Sequence, residues 1–598
     1  MTTAPKTDIP GRVIPILESE FDDFDVEAKD FLAGNQEEAK FIGFRLRQGV
    51  YGQRQPGRQM IRVKLPFGGV SADQMDVFAE VAERFAPLRR GHITTRQNIQ
   101  YHHFPLTEAV SLLQLLGTVG LSSREACSNT VRNVTADPYA GVTDEPFDIT
   151  PYAGAFVRYW VRNEISQFLP RKFKVAFASN DRDEAITDIH DMGFIPAIRD
   201  VDGVPTKGFK VVVGGGLAIM AKHAIVLRDW VPVTEYLKLS EAVMRIFNAA
   251  DELRKNRAKA RLKFLVHRVG TEKFLEMVDE ELAKPWAQRD PETFLPDELL
   301  YLDDEEADAP QAPANAPQPT DADRAAFERF VASNTRKQRQ AGYCTVEARI
   351  PQGDLDPEQF RAIARLMRDY GNGRARTSVN QNFIFRWIPE ASVYGLWKEL
   401  VALGIGTAGA GEIFDVVSCP GTDSCKLGIT CSMGLNRALS AKVQELNIID
   451  PMVRKMRLNV SGCPNSCGQH HIASIGFHGA AIKASNNDER QVPAYHVFLG
   501  GARGTGNIRL GQLLKVRVPA KRAPLVAERF IKYYETNRAN ADEDFDTFVD
   551  RVGAEVFESQ VQDLALPPEF SIATMDEFID WEREGLYVLE RGEGECAI

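Results

Sequence analysis

The sequence is poor in cysteine, with eight in 598 residues. Secreted chains stabilised by disulfides are far denser in cysteine, so this composition excludes that class and predicts a cytoplasmic protein with reduced thiols. The first residues contain no apolar segment of the secretory-signal type, which favours the same compartment. The most apolar run, residues 211–221, is too short to span a bilayer, so we expect no membrane partner.

The sequence also lacks an excess of positive charge. Its 72 basic and 83 acidic residues give a net charge of −11. Because no overall basic field is available to release counterions from a phosphate backbone, we expect no nucleic-acid partner. A G-x-G-x-x-G sequence opening a βαβ unit is likewise missing, which argues against a flavin or nicotinamide domain within the chain.

The two halves of the chain resemble each other. The segment RQNIQYHHFP from Arg96 aligns with NQNFIFRWIP from Asn380 at an offset of 284 residues. RKFKVAFAS from Arg171 aligns with RKMRLNVSG from Arg454 at an offset of 283, and further blocks follow in the same order. This order predicts a tandem duplication.

Each copy begins with a strand-like run, MIRVKLP or CTVEARIP, followed by a helical pattern with one apolar face. A strand pair and a second helix then complete a β-α-β-β-α unit, which is typical of a ferredoxin-like half-domain. The predicted fold class is α+β. Each copy of the tandem duplication contains one ferredoxin-like half-domain and one larger mixed α/β domain, and the two copies are related by pseudo-two-fold symmetry. A large cofactor is expected at the interface between the copies. The predicted units are an N-terminal extension (1–50), half-domain 1 (51–121), an α/β domain (122–302), an Ala/Pro/acidic extended linker (303–323), half-domain 2 (324–410), a second α/β domain (411–562) and a C-terminal tail (563–598).

Only the second copy carries paired cysteines. Cys419 and Cys425 lie in CPGTDSC, and Cys463 and Cys467 in SGCPNSCG. Four thiolates on two loops suit a [4Fe–4S] cluster, and the glycine-rich turns would aim backbone N–H groups at the sulfur atoms. A structural zinc is an alternative, although its ligand pairs favour shorter spacings, and unliganded buried thiols are another.

For Cys344, Cys431 and Cys596 we predict no ligand role.

The first copy supplies positive charge instead. Five cations stand near its aligned motifs: Arg62, Arg96, Arg132, Lys172 and Lys174. Taken singly, each is typical of a solvated surface. As a group they would surround an anionic cofactor and an anionic substrate, because a buried anion needs cationic partners.

These motifs resemble those of the sirohaem-dependent sulfite and nitrite reductase haemoproteins, over residues 51–561, and are most similar to assimilatory sulfite reductase. The resemblance implies a sirohaem between the halves, joined to one [4Fe–4S] cluster by the sulfur of Cys467, the axial ligand. It further implies that the other cluster ligands are Cys419, Cys425 and Cys463. The implied anion-binding and catalytic residues are Arg62, Arg132, Lys172 and Lys174. The implied contacts of the macrocycle are Arg96, Gln100 and Asn465.

The activity implied is six-electron reduction of sulfite to sulfide. Nitrite reductases of this family tend to have asparagine where this chain has Lys174, which favours sulfite, and reduction of nitrite to ammonia is the alternative. A non-enzymatic alternative is an iron–sulfur carrier or sensor without sirohaem, although such a protein needs neither the duplication nor the cations.

Without a dinucleotide domain, the electrons must come from a separate protein, a ferredoxin or an NADPH-dependent flavoprotein. The basic run RKNRAKARLKF from Arg254 is either a docking site for an acidic donor or a solvated helix face.

A smaller expectation concerns Tyr51 and Cys127. In some reductases that resemble this chain, a tyrosine and a cysteine so placed are joined by a thioether beside the haem. Simple packing of the two side chains is the alternative.

Overall fold

The computed structural model describes residues 9–485, 489–503, 508–592 and 594–595. Cys596 therefore lies outside the described residues. The strands form four five-stranded sheets in two related pairs. In the described ranges, no helix combines the length and the apolarity needed to cross a membrane.

The N-terminal region and the first half-domain contain helices α1 (Glu18–Leu32), α2 (Glu38–Arg47), α3 (Ala72–Arg84) and α4 (Ala109–Gly117), and strands β1 (Val50–Gly52), β2 (Arg58–Val63), β3 (Gly69–Ser71), β4 (Gly91–Ile93) and β5 (Ile99–Pro105). Helix α3 begins at a capping box, in which the side chains of Ser71 and Gln74 each accept the other's backbone N–H. Phe78 and Val81 on its apolar face are fully buried, as their spacing predicts.

The first α/β domain follows, with strands β6 (Thr135–Ala136), β7 (Val175–Phe177), β8 (Met192–Val201), β9 (Val204–Val213) and β10 (Ile225–Pro232), and helices α5 (Thr150–Trp160), α6 (Tyr236–Asn248), α7 (Asp251–Arg254), α8 (Leu262–Val269) and α9 (Thr271–Leu282). Its sheet has the order β10-β9-β8-β7-β6. The pairs β6–β7 and β7–β8 are parallel, whereas β8–β9–β10 is an antiparallel meander.

The second half-domain repeats the first, with α10 (Arg324–Asn334), β11 (Thr335–Lys337), β12 (Tyr343–Ala348), β13 (Asp354–Leu355), α11 (Pro357–Tyr370), β14 (Arg374–Thr377), β15 (Phe383–Pro389) and α12 (Val393–Ala402). The second α/β domain contains β16 (Val417–Ser418), α13 (Ser432–Glu445), α14 (Pro451–Arg454), β17 (Leu458–Ser461), β18 (Ile475–Lys483), β19 (Gln491–Leu499), β20 (Gln512–Pro519), α15 (Ala523–Asn537), α16 (Phe545–Val552), α17 (Ala554–Ser559) and α18 (Gln562–Ala565). Its sheet, in the order β16-β17-β18-β19-β20, has the same parallel-then-antiparallel pattern as the first. The predicted α+β duplication is thereby confirmed.

The two half-domains exchange strands. Strand β3 of the first copy pairs with β14 of the second, and β13 of the second pairs with β4 of the first. Helices α3 and α11 pack together across this joint, with the rings of Phe78 and Phe360 6.0 Å apart, and both half-domains share one hydrophobic core. Each half-domain therefore completes the sheet of the other, which fixes the pseudo-two-fold arrangement of the copies.

Residues 303–323 contain no helix or strand, in keeping with their composition. One residue of this segment is nevertheless buried. The carboxylate of Glu305 accepts hydrogen bonds of 2.9 Å from Arg376, 2.9 Å from Arg386 and 3.0 Å from the indole of Trp387. The connection is thus tied to the second half-domain by charge, a contact that its low apolar content did not predict.

Candidate functional site

The two cysteine loops leave one edge of the second α/β sheet. Strands β16 and β17 are parallel neighbours, with Val417 opposite Asn459 and Ser418 opposite Val460. Because parallel strands end at the same edge, the loop with Cys419 and the loop with Cys463 emerge side by side.

Glycines allow the loops to approach each other closely. A Cβ atom on Gly462 would lie 2.6 Å from the Cα atom of Gly421, and Gly421 has a left-handed φ of 53°. This proximity lets the backbone N–H of Gly462 donate to the Sγ atom of Cys419 at 3.3 Å. A side chain at either glycine would separate the loops.

The four thiols influence one another electrostatically. Burial and, to a smaller extent, the nearby Cys467 sulfur together raise the pKa of Cys425 to about 12. Burial raises the pKa of Cys463 well above its ordinary value, again with Cys467 as the next cause. Backbone N–H groups oppose this rise at Cys419, Cys425 and Cys463. Converging thiols with N–H donors at sulfur match the requirements of an iron–sulfur cluster, whose positive irons would stabilise the thiolates.

In the part of the chain that the structure describes, no three His, Cys, Asp or Glu side chains are grouped as ligands of a single metal ion. A four-iron cluster is wider than one ion and carries each thiolate on a different corner.

The cations of the first copy also converge. Arg62 on β2 and Arg132 both donate from Nη1 to the carbonyl oxygen of Ala126, at 3.1 and 3.2 Å. Their guanidinium groups are therefore held side by side. Lys64, which shares the strand face of Arg62, is buried, and burial lowers its pKa to about 8, with the charge of Arg132 contributing.

A second subset contains Arg96, Lys172 and Lys174. Burial and, to a smaller extent, the charge of Arg132 together lower the pKa of Arg96 to about 9. Burial also lowers the pKa of Lys174 well below its ordinary value, with Arg96 the next cause and Lys172 a smaller one. The five predicted cations thus form one electrostatic group.

The cationic group and the cysteine loops meet between the two halves. Thr95, next to Arg96, donates from Oγ1 to the backbone carbonyl of Cys467 at 2.8 Å. Cys467 alone of the four paired cysteines is exposed, and its charge raises the pKa of Lys174. The most accessible thiol is therefore the one that faces the cations.

The comparisons with known proteins agree with this geometry. A family model described as the nitrite and sulphite reductase 4Fe-4S domain matches residues 127–286 and 409–567. A second model, the nitrite/sulfite reductase ferredoxin-like half domain, matches residues 51–119 and 336–403, so the matches cover most of the chain. The chain belongs to the nitrite and sulfite reductase family.

Relatives with either substrate name are similar to this reductase. A ferredoxin–nitrite reductase of Synechococcus elongatus is 31% identical over 79% of this chain and 87% of its own. A sulfite reductase [ferredoxin] 1 of Mycolicibacterium paratuberculosis is 29% identical over 74% of each chain. The solved structure of the Mycobacterium tuberculosis NirA protein superposes with a TM-score of 0.75 at 25% identity, covering 90% of this chain and 95% of that one.

Family membership determines the cofactors. The reductase uses a sirohaem and one [4Fe–4S] cluster, as predicted. The zinc site and the sensor without sirohaem, both left open by the cysteine spacing, are thereby excluded. The four thiols with their N–H donors fit the cluster, and the group of buried cations fits the carboxylates of an anionic macrocycle.

All three predicted macrocycle contacts have protein partners in this structure. Arg96 donates from Nη2 to the carbonyl oxygen of Asn133 at 2.5 Å. Gln100 on β5 is buried, and its Oε1 atom accepts a 3.1 Å hydrogen bond from Nε of Arg62. Asn465 is half-buried in the Cys463–Cys467 loop, where its backbone N–H lowers the pKa of Cys463. Gln100 thus orients an arginine, and Asn465 supports a thiolate.

Sequence reasoning missed two buried cations, Arg261 and Lys263. Arg261 donates to both carboxylate oxygens of Asp191, at 2.6 and 3.2 Å, and its charge lowers the pKa of Lys174. Lys263 donates to four backbone carbonyls between Gly216 and Met220.

Both residues belong to the basic run RKNRAKARLKF. In this run Lys255, Arg257 and Lys259 are exposed, whereas residues 261–263 are buried. The run is therefore neither a wholly solvated face nor a wholly exposed docking site. The apolar residues Leu262 and Phe264 that flank Lys263 were the signal of this change, because they mark where the chain turns into the core.

Proposed function

We propose that this reductase converts sulfite to sulfide with six electrons, in the cytoplasm and in assimilatory sulfur metabolism. The observation that supports sulfite is the convergence of Arg62, Arg132, Lys172 and Lys174 into one cationic group beside exposed Cys467. Sulfite at neutral pH is divided between a monoanion and a dianion, each with three oxygens, so its dianion makes fuller use of four positive groups than the nitrite monoanion does.

The cofactor pair supplies electrons one at a time and a binding position for the substrate. The protein residues do the rest. Arg62 and Arg132, held by the Ala126 carbonyl, would bind substrate oxygens through charge-assisted hydrogen bonds. Cys467 would hold both the sirohaem and the cluster, and Cys419, Cys425 and Cys463 would be the other residues that hold the cluster. Arg96, Gln100 and Asn465 would hold the macrocycle.

Each oxygen that leaves the substrate as water needs protons. Lys174 suits this role, because burial and neighbouring cations lower the pKa of its ammonium group and make the Nζ proton easier to give up. Lys172, which contributes to this lowering, would share the task.

Nitrite is the second candidate. It is favoured by the names of several relatives, including the Synechococcus elongatus ferredoxin–nitrite reductase. A separate ferredoxin is supported as the electron donor, since ferredoxin appears in the names of both the Synechococcus elongatus nitrite reductase and the Mycolicibacterium paratuberculosis sulfite reductase.

Lys174→Asn tests the substrate assignment. The change keeps a hydrogen-bond donor but removes one charge and one proton source. A hydrogen bond to a charged group contributes about 1.5–3 kcal/mol, so we expect kcat/KM for sulfite to fall by about tenfold or more. Nitrite needs less charge, so its kcat/KM should fall less. Both substrates would be assayed with one artificial donor.

Lys210→Asn is the matched control, because Lys210 is an exposed lysine on β9 of the same domain. It should leave both activities unchanged. Equal losses on sulfite and nitrite in Lys174→Asn, or a wild-type preference for nitrite, would contradict the assignment to sulfite and leave the cofactors unaffected.

We also propose the thioether between Tyr51 and Cys127. Tyr51 packs against a small cluster that contains Cys127, and Arg62 donates from Nη1 to the Sγ atom of Cys127 at 3.6 Å. Its formation would break the S–H bond of Cys127 and one ring C–H bond of Tyr51, and it needs a two-electron oxidant, such as dioxygen, to take up the two electrons and two protons. The cross-link would border the cationic group. Peptide mapping of the active protein should find the two peptides joined, with a mass about two hydrogens below their sum. Full alkylation of Cys127 across the active population would disprove it.

A further inference from the structure

The carboxylate of Glu595 is surrounded by the hydrogen-bond donors of Arg45, Lys426 and the Gly52 backbone N–H, which together are called the cradle. Arg45 binds the carboxylate with two hydrogen bonds, of 2.8 and 2.9 Å, and the ammonium of Lys426 lies 2.7 Å away. The backbone N–H of Gly52 donates to the same carboxylate at 2.8 Å. The Arg45 and Glu595 side chains are only 7% and 2% exposed. A bidentate arginine, a lysine and a backbone N–H are the donors of a tetrahedral or trigonal oxyanion site.

The glycine at the centre of this cradle is needed for the fit. A Cβ atom on Gly52 would lie 2.2 Å from Oε1 of Glu595 and 2.9 Å from Nη2 of Arg45. The space above the Gly52 backbone therefore exists only because residue 52 has no side chain. The conformation of Gly52 does not itself require glycine, since its φ is not positive.

The cradle lies in the wall of a large open cleft. The cleft measures about 710 Å³, and its charged lining includes Arg54, Lys426, Arg591 and Glu595. Ile42 in the same wall packs in the cluster of Tyr51 and Cys127.

Behind that cluster, Cys127 contacts Arg62 of the cationic group. The cleft and the cationic group are thus separated by one layer of side chains, so the cradle lies near the cationic group.

Glu595 reaches the cradle from a segment that the family model does not include. The family match ends at residue 567. Beyond it, the chain crosses the loop of Cys425, where Tyr587 donates to the carbonyl of Ile429 at 2.9 Å and the N–H of Gly592 to the carbonyl of Lys426 at 3.0 Å. Gly52 and Lys426 lie in segments that the family models match, Arg45 lies on α2 just before the first match, and the carboxylate comes from the C-terminal tail.

We infer that Arg45, Lys426 and the Gly52 N–H form an oxyanion-binding site in the wall of this cleft, and that Glu595 is its tethered occupant. A free oxyanion of the substrate class binds there when the tail withdraws. That the natural ligand is the substrate rests on the proposed function, but the binding of an oxyanion does not. Sulfate is the appropriate probe, because it is a sulfur oxyanion with the same charge as the sulfite dianion and is not expected to be reduced at the active site.

The test compares sulfate binding by wild-type holoprotein and Glu595→Ala at constant ionic strength and matched cofactor content. Calorimetric titration should find one more sulfate site in Glu595→Ala than in the wild type. A tethered carboxylate competes at an effective concentration on the order of millimolar, so half-occupancy of the cradle in the wild type should need at least about tenfold more sulfate. Sulfate should also raise the Tm of the variant more than that of the wild type, since it replaces the missing partner of Arg45.

Two controls make the outcome specific. Glu590→Ala removes the same charge from the same tail, but Glu590 is exposed and 3.7 Å from its partner Arg54, so no sulfate site should be gained. Gly52→Ala combined with Glu595→Ala should lose the added site, because the new Cβ fills it.

Absence of an added site in Glu595→Ala, its appearance in Glu590→Ala, or its persistence in the double variant would overturn the inference. None of these results bears on whether sulfite or nitrite is reduced, which Lys174→Asn tests separately.

Discussion

Cys467→Ser is expected to lower turnover by at least about 100-fold with either substrate. Under the proposed assignment, in which Cys467 holds both centres, serine would be a poor replacement because its oxygen is a hard and weakly acidic ligand, and even partners one shell further out change metal sites by 10–100-fold. Turnover per bound sirohaem with an artificial donor measures the loss. Paramagnetic resonance should show that the spin coupling between the two centres has disappeared, even where some sirohaem stays bound.

Cys431→Ser is the matched control. Cys431 lies six residues after Cys425, is fully buried and donates from Sγ to Oδ1 of Asp423 at 3.3 Å. Burial raises the pKa of its thiol, so it stays protonated, and a serine hydroxyl can make the same hydrogen bond. Both centres and most activity should remain. Equal losses in the two variants would show that the ligands have been misassigned.

Glu305→Ala is expected to lower the free energy of unfolding by about 3–5 kcal/mol, the usual cost of removing one partner of a buried ion pair. The change leaves Arg376 and Arg386 buried without their shared carboxylate. Urea unfolding followed by fluorescence would measure it. Glu306→Ala, one residue along the segment and exposed, should change stability by less than about 0.5 kcal/mol.

The same ion pairs predict a pH dependence. Burial alone raises the pKa of Glu305, but Arg386 and Arg376 outweigh it and lower the pKa from 4.5 to about 2. A carboxylate with a depressed pKa in the folded state stabilises fully above its unfolded pKa, and this contribution is lost as the pH falls from about 4.5 towards 2. The stability difference between wild type and Glu305→Ala should therefore be largest near neutral pH and shrink below about pH 4.5. A difference that stays constant down to pH 3 would exclude this role of the carboxylate.

The duplicated blocks and the apolar faces of α3 and α11 were enough to predict the α+β repeat, because helix and strand periodicity is a local property of the sequence. The paired cysteines and the resemblance to the family led to the cofactors for a similar reason. Ligand type and spacing limit which metal group can bind, wherever the loops lie in the fold.

The exchange of β3 and β13 between half-domains could not be predicted. Both are two- or three-residue strands with no periodicity of their own, and they form only because the other copy presents an open sheet edge. The burial of Arg261 and Lys263 at the end of a basic run likewise depends on distant parts of the chain. The Asp191 carboxylate and backbone carbonyls of residues 216–220 make this burial favourable.

The sequence by itself determined the repeat, the four thiols and the cations of the first copy, because composition and spacing encode local structure and ligand chemistry. Only the tertiary structure decided which cations meet, that exposed Cys467 faces them, and that Glu305 and Glu595 are buried against arginines. Ion pairs and hydrogen bonds form only when the two groups come within about 4 Å, so their partners depend on distances that only the folded chain sets.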